Sequence, residues 1–153
     1  MSVFRKLLSL CVAVLCVMSF TACSQSGSSA SSLPTDYGFS VQLPESVQEN
    51  IRYDLSNREV GDETINTINV VYEGETGEAN ILTFEEMSSA MWEQMQSEGG
   101  PLPTELGASE DGRVVVMYPL QSNPYEAGTA DADAVDLFVS ESSIVTESFQ
   151  FLQ

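Results

Sequence analysis

Closely spaced carboxylates are the residues of this sequence whose types and spacing could do chemistry, and they form two clusters. One cluster comprises Asp131, Asp133 and Asp136, and the other comprises Glu73, Glu75 and Glu78. Carboxylate oxygens are preferred ligands of calcium, but neither cluster has the spacing and glycine of an EF-hand loop. Acidic residues also favour helix starts, where they interact with the helix dipole. We expect a structural or solvated role for both clusters, with calcium binding as the alternative.

The remaining chemistry is limited by what the sequence lacks. It contains no histidine, and its three cysteines are Cys11, Cys16 and Cys23. A Ser-His-acid triad is therefore impossible, and the chain after residue 23 offers neither imidazole nor thiolate to a zinc ion. No glycine-rich phosphate loop occurs. We predict no catalytic residues, no cofactor other than a possible calcium ion, and no enzyme; a hydrolase using only Asp and Glu is the third hypothesis.

The N-terminal segment predicts where the protein is located. Arg5 and Lys6 precede an uncharged, mostly apolar run that ends at Phe20, which is the layout of a secretory signal. The run is shorter than the ~20 residues of a membrane-spanning helix. Thr21-Ala22-Cys23 resembles the lipobox of bacterial lipoproteins. The resemblance implies cleavage before Cys23, a diacylglyceryl group on its thiol, and attachment to the extracytoplasmic face of the cell membrane.

Composition divides the chain into three parts. We predict a lipoprotein signal peptide over residues 1–22, a lipid-anchored flexible tether over 23–35, and a single α+β domain over 36–153. The tether is rich in serine, glycine and alanine and lacks an apolar period. The remaining length suits one domain with one core.

The charge of the exported part is strongly negative. All 23 acidic residues follow residue 22, whereas only Arg52, Arg58 and Arg113 of the five basic residues do, so the formal charge there is −20. Such a field repels nucleic acid phosphates and attracts cations or basic surfaces. We therefore expect no nucleic acid partner. The expected partners are the membrane, through the lipid, and an envelope protein.

The first predicted strand carries a second resemblance. Residues 37–43 alternate apolar and polar side chains, and Pro44 ends the pattern. Tyr37-Gly38-Phe39-Ser40-Val41-Gln42-Leu43-Pro44-Glu45-Ser46 resembles the opening of small secreted bacterial proteins of PsbP-like fold. That resemblance implies an interaction module rather than an enzyme with a shared catalytic set.

Further strands are predicted over residues 51–55, 65–72 and 79–84, with residues 57–63 as a polar turn region. The last two form a hairpin across the glycine-containing segment 73–78. A helix should follow, because Phe84, Met87, Met91 and Met95 have helical spacing. The helix begins either at a capping box formed by Thr83 and Glu86 or later, at Ser88. The methionines are expected to pack in the core.

The C-terminal part predicts a second hairpin and a helical tail. Residues 105–108 and 113–118 flank Asp111-Gly112, a strong turn signal, and Val114-Val115-Val116 predicts a central strand covered on both faces. The apolar residues of the tail keep a helical spacing, with an interruption at residues 140–143; they are Val135, Phe138, Val139, Val145, Phe149 and Leu152. The order of elements predicts an α+β fold, an antiparallel sheet packed with helices, as the PsbP-like resemblance implies; a cystatin-like fold is the runner-up.

Together these observations predict a non-catalytic, lipid-anchored domain of the cell envelope. Its expected role is protein interaction or an accessory function in an envelope complex. The alternative is a calcium- or cation-binding surface module, with Asp131, Asp133 and Asp136 as candidate ligands.

Overall fold

The computed structural model describes residue 33 and residues 37–152. The predicted signal peptide and Cys23 lie outside the described residues. Leu33, which falls within the predicted tether, is buried against the core.

A five-stranded antiparallel sheet forms the centre of the domain, with strand order β2-β3-β4-β6-β5. A second, two-stranded sheet pairs β1 with β7, which are far apart in sequence. The strands are β1 (Phe39–Ser40), β2 (Ile51–Val60), β3 (Glu63–Gly74), β4 (Gly77–Ser88), β5 (Thr104–Ala108), β6 (Arg113–Pro119) and β7 (Gln150–Phe151). The helices are a 3-10 helix (Glu45–Asn50), α1 (Ser89–Ser97), α2 (Ala130–Glu141) and α3 (Ser143–Ser148).

The two faces of the large sheet carry different layers. On the first face, Val70, Phe84 and Val115 pack with Val135 and Phe138 of α2 in the larger core cluster. The 3-10 helix, α3 and β1 also contribute buried side chains to this cluster. The second face is partly covered by α1. This arrangement confirms the predicted α+β class with an antiparallel sheet covered by helices.

Helix α1 begins later than the capping box predicts. Ser88 is its N-cap, and its hydroxyl accepts a hydrogen bond from the Met91 amide at 3.1 Å. The Thr83–Glu86 capping box is therefore wrong, and Phe84 and Met87 belong to β4. These residues lie in a strand because β4 pairs with β3 on one side and β6 on the other. The buried residues Met91 and Trp92 then cover Val114 and Val116.

Strands β2 and β3 are longer than predicted, and they form a hairpin. The polar turn region over residues 57–63 is wrong, because β2 continues to Val60 and only Gly61 and Asp62 connect it to β3. Gly61 has a φ of 65°, which a short hairpin turn favours. Polar residues such as Asn57 and Glu59 fit this strand because it lies at an exposed edge of the sheet.

The first predicted strand is mostly irregular. Only Phe39 and Ser40 form strand β1, although Phe39, Val41 and Leu43 are buried as the alternation predicts. The pairing is shorter than the predicted strand, since its partner β7 also has only two residues.

The predictions for the C-terminal half are confirmed except at its end. The helical spacing of Phe149 and Leu152 is misleading, because α3 ends at Ser148 and Gln150–Phe151 form strand β7, which pairs with β1. Strands β5 and β6 form the hairpin, and Gly112 in its turn has a φ of 85°. Val114, Val115 and Val116 are buried on a strand that lies between β4 and β5. The helical tail is interrupted at Ser142, between α2 and α3. Among the described residues, no helix is both long enough and apolar enough to cross a membrane.

Candidate functional site

Asp131, the first of the candidate calcium ligands, binds the turn between β3 and β4. Thr129 caps α2, which places Asp131 in its first turn, and the side chain of Asp131 is only 3% exposed. Its carboxylate accepts hydrogen bonds from the Glu75 amide at 3.0 Å, the Thr76 amide at 2.9 Å and the Thr76 hydroxyl at 2.7 Å. Tyr72 donates a longer bond of 3.4 Å. The carboxylate therefore joins the N-terminus of α2 to the central sheet.

These hydrogen bonds change the acidity of the groups involved. The Thr76 hydroxyl and amide lower the pKa of Asp131, and the Glu75 amide adds to this. Burial, followed by the negative charge of Asp131, raises the pKa of Tyr72. A Cβ atom at Gly74 would lie 2.7 Å from the Asp131 carboxyl, so the close approach requires glycine there. Asp131 is an ionised, fully hydrogen-bonded group.

The other candidate ligands are not gathered with Asp131. Asp133 and Asp136 are exposed on α2. Asp136 accepts a hydrogen bond from the side-chain Nδ2 of Asn123 at 2.8 Å. Glu73 and Glu78 both pair with Arg52. Over residues 37–152, no group of three or more His, Cys, Asp or Glu side chains is placed to hold a metal ion. The calcium alternative therefore has no geometric support in this part of the chain.

All three arginines of the described chain are in ion pairs. Arg52 contacts Asp54, Glu73 and Glu78. The other two pairs are Arg58 with Glu85, at 3.2 Å, and Arg113 with both Glu86 and Asp111, at 3.1 and 3.0 Å. With every arginine engaged, the remaining carboxylates make the outer surface negative.

The Arg58–Glu85 pair lies on the second face of the sheet. Glu85 is buried, and the Tyr118 hydroxyl donates to it at 3.1 Å. Burial and the charge of Glu85 raise the pKa of Tyr118 to about 12. Tyr118 is therefore a neutral hydrogen-bond donor at neutral pH, and the cluster satisfies a buried charge.

An open groove of about 480 Å³ lies on the first face, between the chain at Tyr37 and Gly38 and the β2–β3 hairpin. Within residues 37–152, none of the residues that line it belongs to an α-helix. The lining residues combine apolar, amide and charged groups: Tyr37, Leu55, Ile68, Asn57, Asn66, Glu86 and Arg113. The register accounts for their proximity, because Leu55 is paired with Ile68, Asn57 with Asn66, and Asn66 with Glu86.

The wall of the groove is fixed by Arg113. Its guanidinium lies 5.5 Å from the centre of the Phe151 ring and pairs with Glu86. Gly38 has a φ of 72°, and a Cβ atom there would lie 2.7 Å from Nη1 of Arg113. Glycine is thus needed both for the backbone conformation and for the contact.

The charged part of the groove lining is one ion pair, Glu86 with Arg113. Glu86 is the one carboxylate among its lining residues, and it is paired with Arg113, so these residues provide no pair of carboxyl groups for acid-base hydrolysis. The sequence predicts a strand over residues 51–55, which includes Leu55, but it does not identify the groove. Leu55 is 57% exposed, which the apolar alternation of that strand does not reveal.

Comparison with known protein-family models, curated proteins and solved structures finds no match for this chain.

Proposed function

We propose that this protein is a non-catalytic, lipid-anchored interaction domain of the bacterial cell envelope, held at the extracytoplasmic face through Cys23. Its partner is a protein with a basic surface. Its finer fold class is PsbP-like, with cystatin-like as the alternative. The supporting observation is electrostatic: all three arginines after the signal are paired with carboxylates, in a chain of formal charge −18. Complementary charge increases association rates and selects against acidic partners.

Replacing Cys23 by alanine is expected to release the protein from the membrane. The two chains of the diacylglyceryl group supply the membrane affinity, at ~0.8 kcal/mol for each buried methylene group, and the variant has no thiol at residue 23 to carry them. In membrane fractionation of cells expressing the full chain, the wild type should be found in the membrane fraction. Cys23→Ala should either be absent from that fraction or keep its uncleaved signal peptide. Equal membrane retention and processing of both would contradict lipid attachment at this residue.

The predicted partner should be basic, and its binding should depend on salt. The tagged full-length protein is isolated from detergent-solubilised membranes at about 0.05 M and about 0.5 M NaCl, since surface charges are screened over about 4 Å at the higher concentration. Proteins recovered at low salt should have basic surfaces and be largely lost at high salt. Recovery of acidic partners only, or of no stable partner, would contradict the proposal.

A charge-neutralised variant provides the matched control for that experiment. It removes four exposed carboxylates for which the structure shows no side-chain hydrogen bond, so the fold is unaffected. The substitutions are Glu93→Gln, Glu126→Gln, Asp133→Asn and Glu147→Gln. We expect recovery of the basic partner at low salt to fall several-fold, because binding is driven in part by the overall field.

A further inference from the structure

We infer that strand β2 is the docking site for this partner, and that the partner adds an extended segment that contains both basic and apolar residues to the sheet edge. The inference rests on the proposed function, because it specifies where and how the basic partner binds. Strand addition supplies main-chain hydrogen bonds for affinity and side-chain contacts for specificity.

The two edges of the large sheet are protected very differently. Edge strand β5 has five residues and a register shift between Glu105 and Gly107. The ring of Phe149 lies against it, since a Cβ atom at Gly107 would be 2.7 Å from that ring. A short edge with a register shift is a poor template for another strand.

Edge strand β2 has none of these protections. It has ten residues, contains no proline, and pairs with β3 in continuous register from Ile51 to Val60. Residues 54–60, which we call the edge segment, are all exposed. In the described chain, this segment is paired with β3 on one side and has no neighbouring strand on the other. Because antiparallel hydrogen bonding alternates, about half of its residues direct their N–H and C=O groups outward.

The side chains of the edge segment specify the chemistry of the added strand. Arg58, its one cation, turns across β3 to pair with Glu85 of β4, so it does not guard the edge. Arg52 pairs with Asp54 but is shared with Glu73 and Glu78, so this group keeps a net charge of −2. Glu59 adds a further negative charge along the strand, and this excess favours lysine or arginine in the partner. Leu55 is 57% exposed and borders the groove, which favours an apolar side chain on that face.

A second copy of this chain is a poor occupant of the same edge. Two chains with formal charges of −18 repel one another, whereas a basic segment is attracted by the same field. Like charges opposite one another across a strand pair are also destabilising. The charge of the molecule therefore selects a basic segment of another protein.

Defined peptides test this inference. The probe is an acetylated and amidated peptide of about eight residues that alternates lysine and valine, a length typical of a strand. Its controls are the same peptide with glutamate in place of lysine and the same peptide with a central proline, which removes a ladder hydrogen bond. Affinity for the folded mature chain is measured together with amide hydrogen exchange of the edge segment. We expect salt-sensitive binding of the lysine peptide, slower exchange at residues 54–60, and at least tenfold weaker binding of both control peptides.

A pair of leucine variants locates the binding site. Leu55→Lys places a charge at the edge segment, and Leu137→Lys places the same charge on α2, where the leucine is 48% exposed. Both variants alter the net charge equally, so a difference between them reports the site. We expect Leu55→Lys to weaken peptide binding at least tenfold and Leu137→Lys to change it less than twofold.

The outcomes distinguish this inference from the proposed function. If the lysine peptide binds but Leu55→Lys and Leu137→Lys have equal effects, or residues 54–60 gain no protection, strand addition at β2 is overturned and the basic partner stands. If salt-sensitive recovery of a basic partner also fails, the proposed function is overturned. Slow amide hydrogen exchange at residues 54–60 without peptide, together with a doubled mass in solution, would identify a second copy of the chain as the occupant. That result would overturn the inference that a basic segment binds there.

Discussion

Replacing Asp131 by alanine is expected to lower the midpoint of thermal unfolding by roughly 10 °C. The substitution leaves the amides of Glu75 and Thr76 and the hydroxyl of Thr76 without their acceptor at the β3–β4 turn. These bonds are partly buried, and bonds to a charged acceptor contribute more than neutral ones. Calorimetry or circular dichroism on the mature chain provides the measurement.

Asp133→Ala is the matched control for this prediction. Asp133 lies on the same helix, two residues further on, but its side chain is exposed. Both substitutions remove one carboxylate near the start of α2, so the helix-dipole contribution is similar. A midpoint for Asp131→Ala no lower than that for Asp133→Ala would show that the turn contacts do not stabilise the domain.

The same contact predicts an acid dependence of stability. The hydrogen bonds from Thr76 and Glu75 hold the pKa of Asp131 below its ordinary value, because they favour the ionised form. Its contribution is therefore fully present above the unfolded-state pKa of about 3.9 and is lost as the pH falls through the lower folded-state pKa. The difference in stability between wild type and Asp131→Ala should be constant at neutral pH and narrow below about pH 4. A difference that stays constant down to about pH 2 would contradict this assignment.

Local sequence signals were sufficient for the elements whose ends are marked by turn or cap residues. Asp111-Gly112 predicted the β5–β6 hairpin, and the serine-rich interruption at residues 140–143 predicted the break between α2 and α3. The helical spacing of Phe84, Met87 and Met91 was misleading, because it spans a strand-to-helix junction. Strand pairing on both sides of β4 decided where the strand ends. The spacing of apolar residues along the sequence does not reveal that pairing.

The candidate site was less predictable for a similar reason. The carboxylate spacing near Asp131 suggested a ligand cluster, but Thr76, which binds Asp131, is 55 residues away in sequence. The groove likewise depends on how much of the first face β1 and the helices cover. Leu55 follows the same alternation as the half-buried residues Ile51 and Tyr53, yet it is exposed because that cover ends before it. Both the contacts of Asp131 and the exposure of Leu55 depend on tertiary packing.

Replacing Phe39 by alanine is expected to cost about 3–5 kcal/mol of unfolding free energy. The Phe39 side chain is 1% exposed, and its ring centre lies 5.8 Å from that of Phe84 and 5.6 Å from that of Phe149. Alanine loses the transfer free energy of the ring and both aromatic contacts, and it leaves a cavity between β1 and the sheet. Urea unfolding of the mature chain measures the change. Phe39→Leu, which keeps much of the volume, should cost clearly less.

The effect of Phe39→Ala should extend to the groove. β1 and β7 have only two residues each, and the Leu152 amide donates to the Gly38 carbonyl at 2.9 Å beside them. So short a pairing depends on side-chain packing, because an isolated pair of strands is marginally stable in water. Loss of the Phe39 ring should therefore free Gly38, which lines the groove. Amide exchange at Leu152 should be faster in Phe39→Ala than in Phe39→Leu under conditions where both variants remain folded. Equal exchange rates would show that the wall of the groove is held by the Arg113 contacts alone.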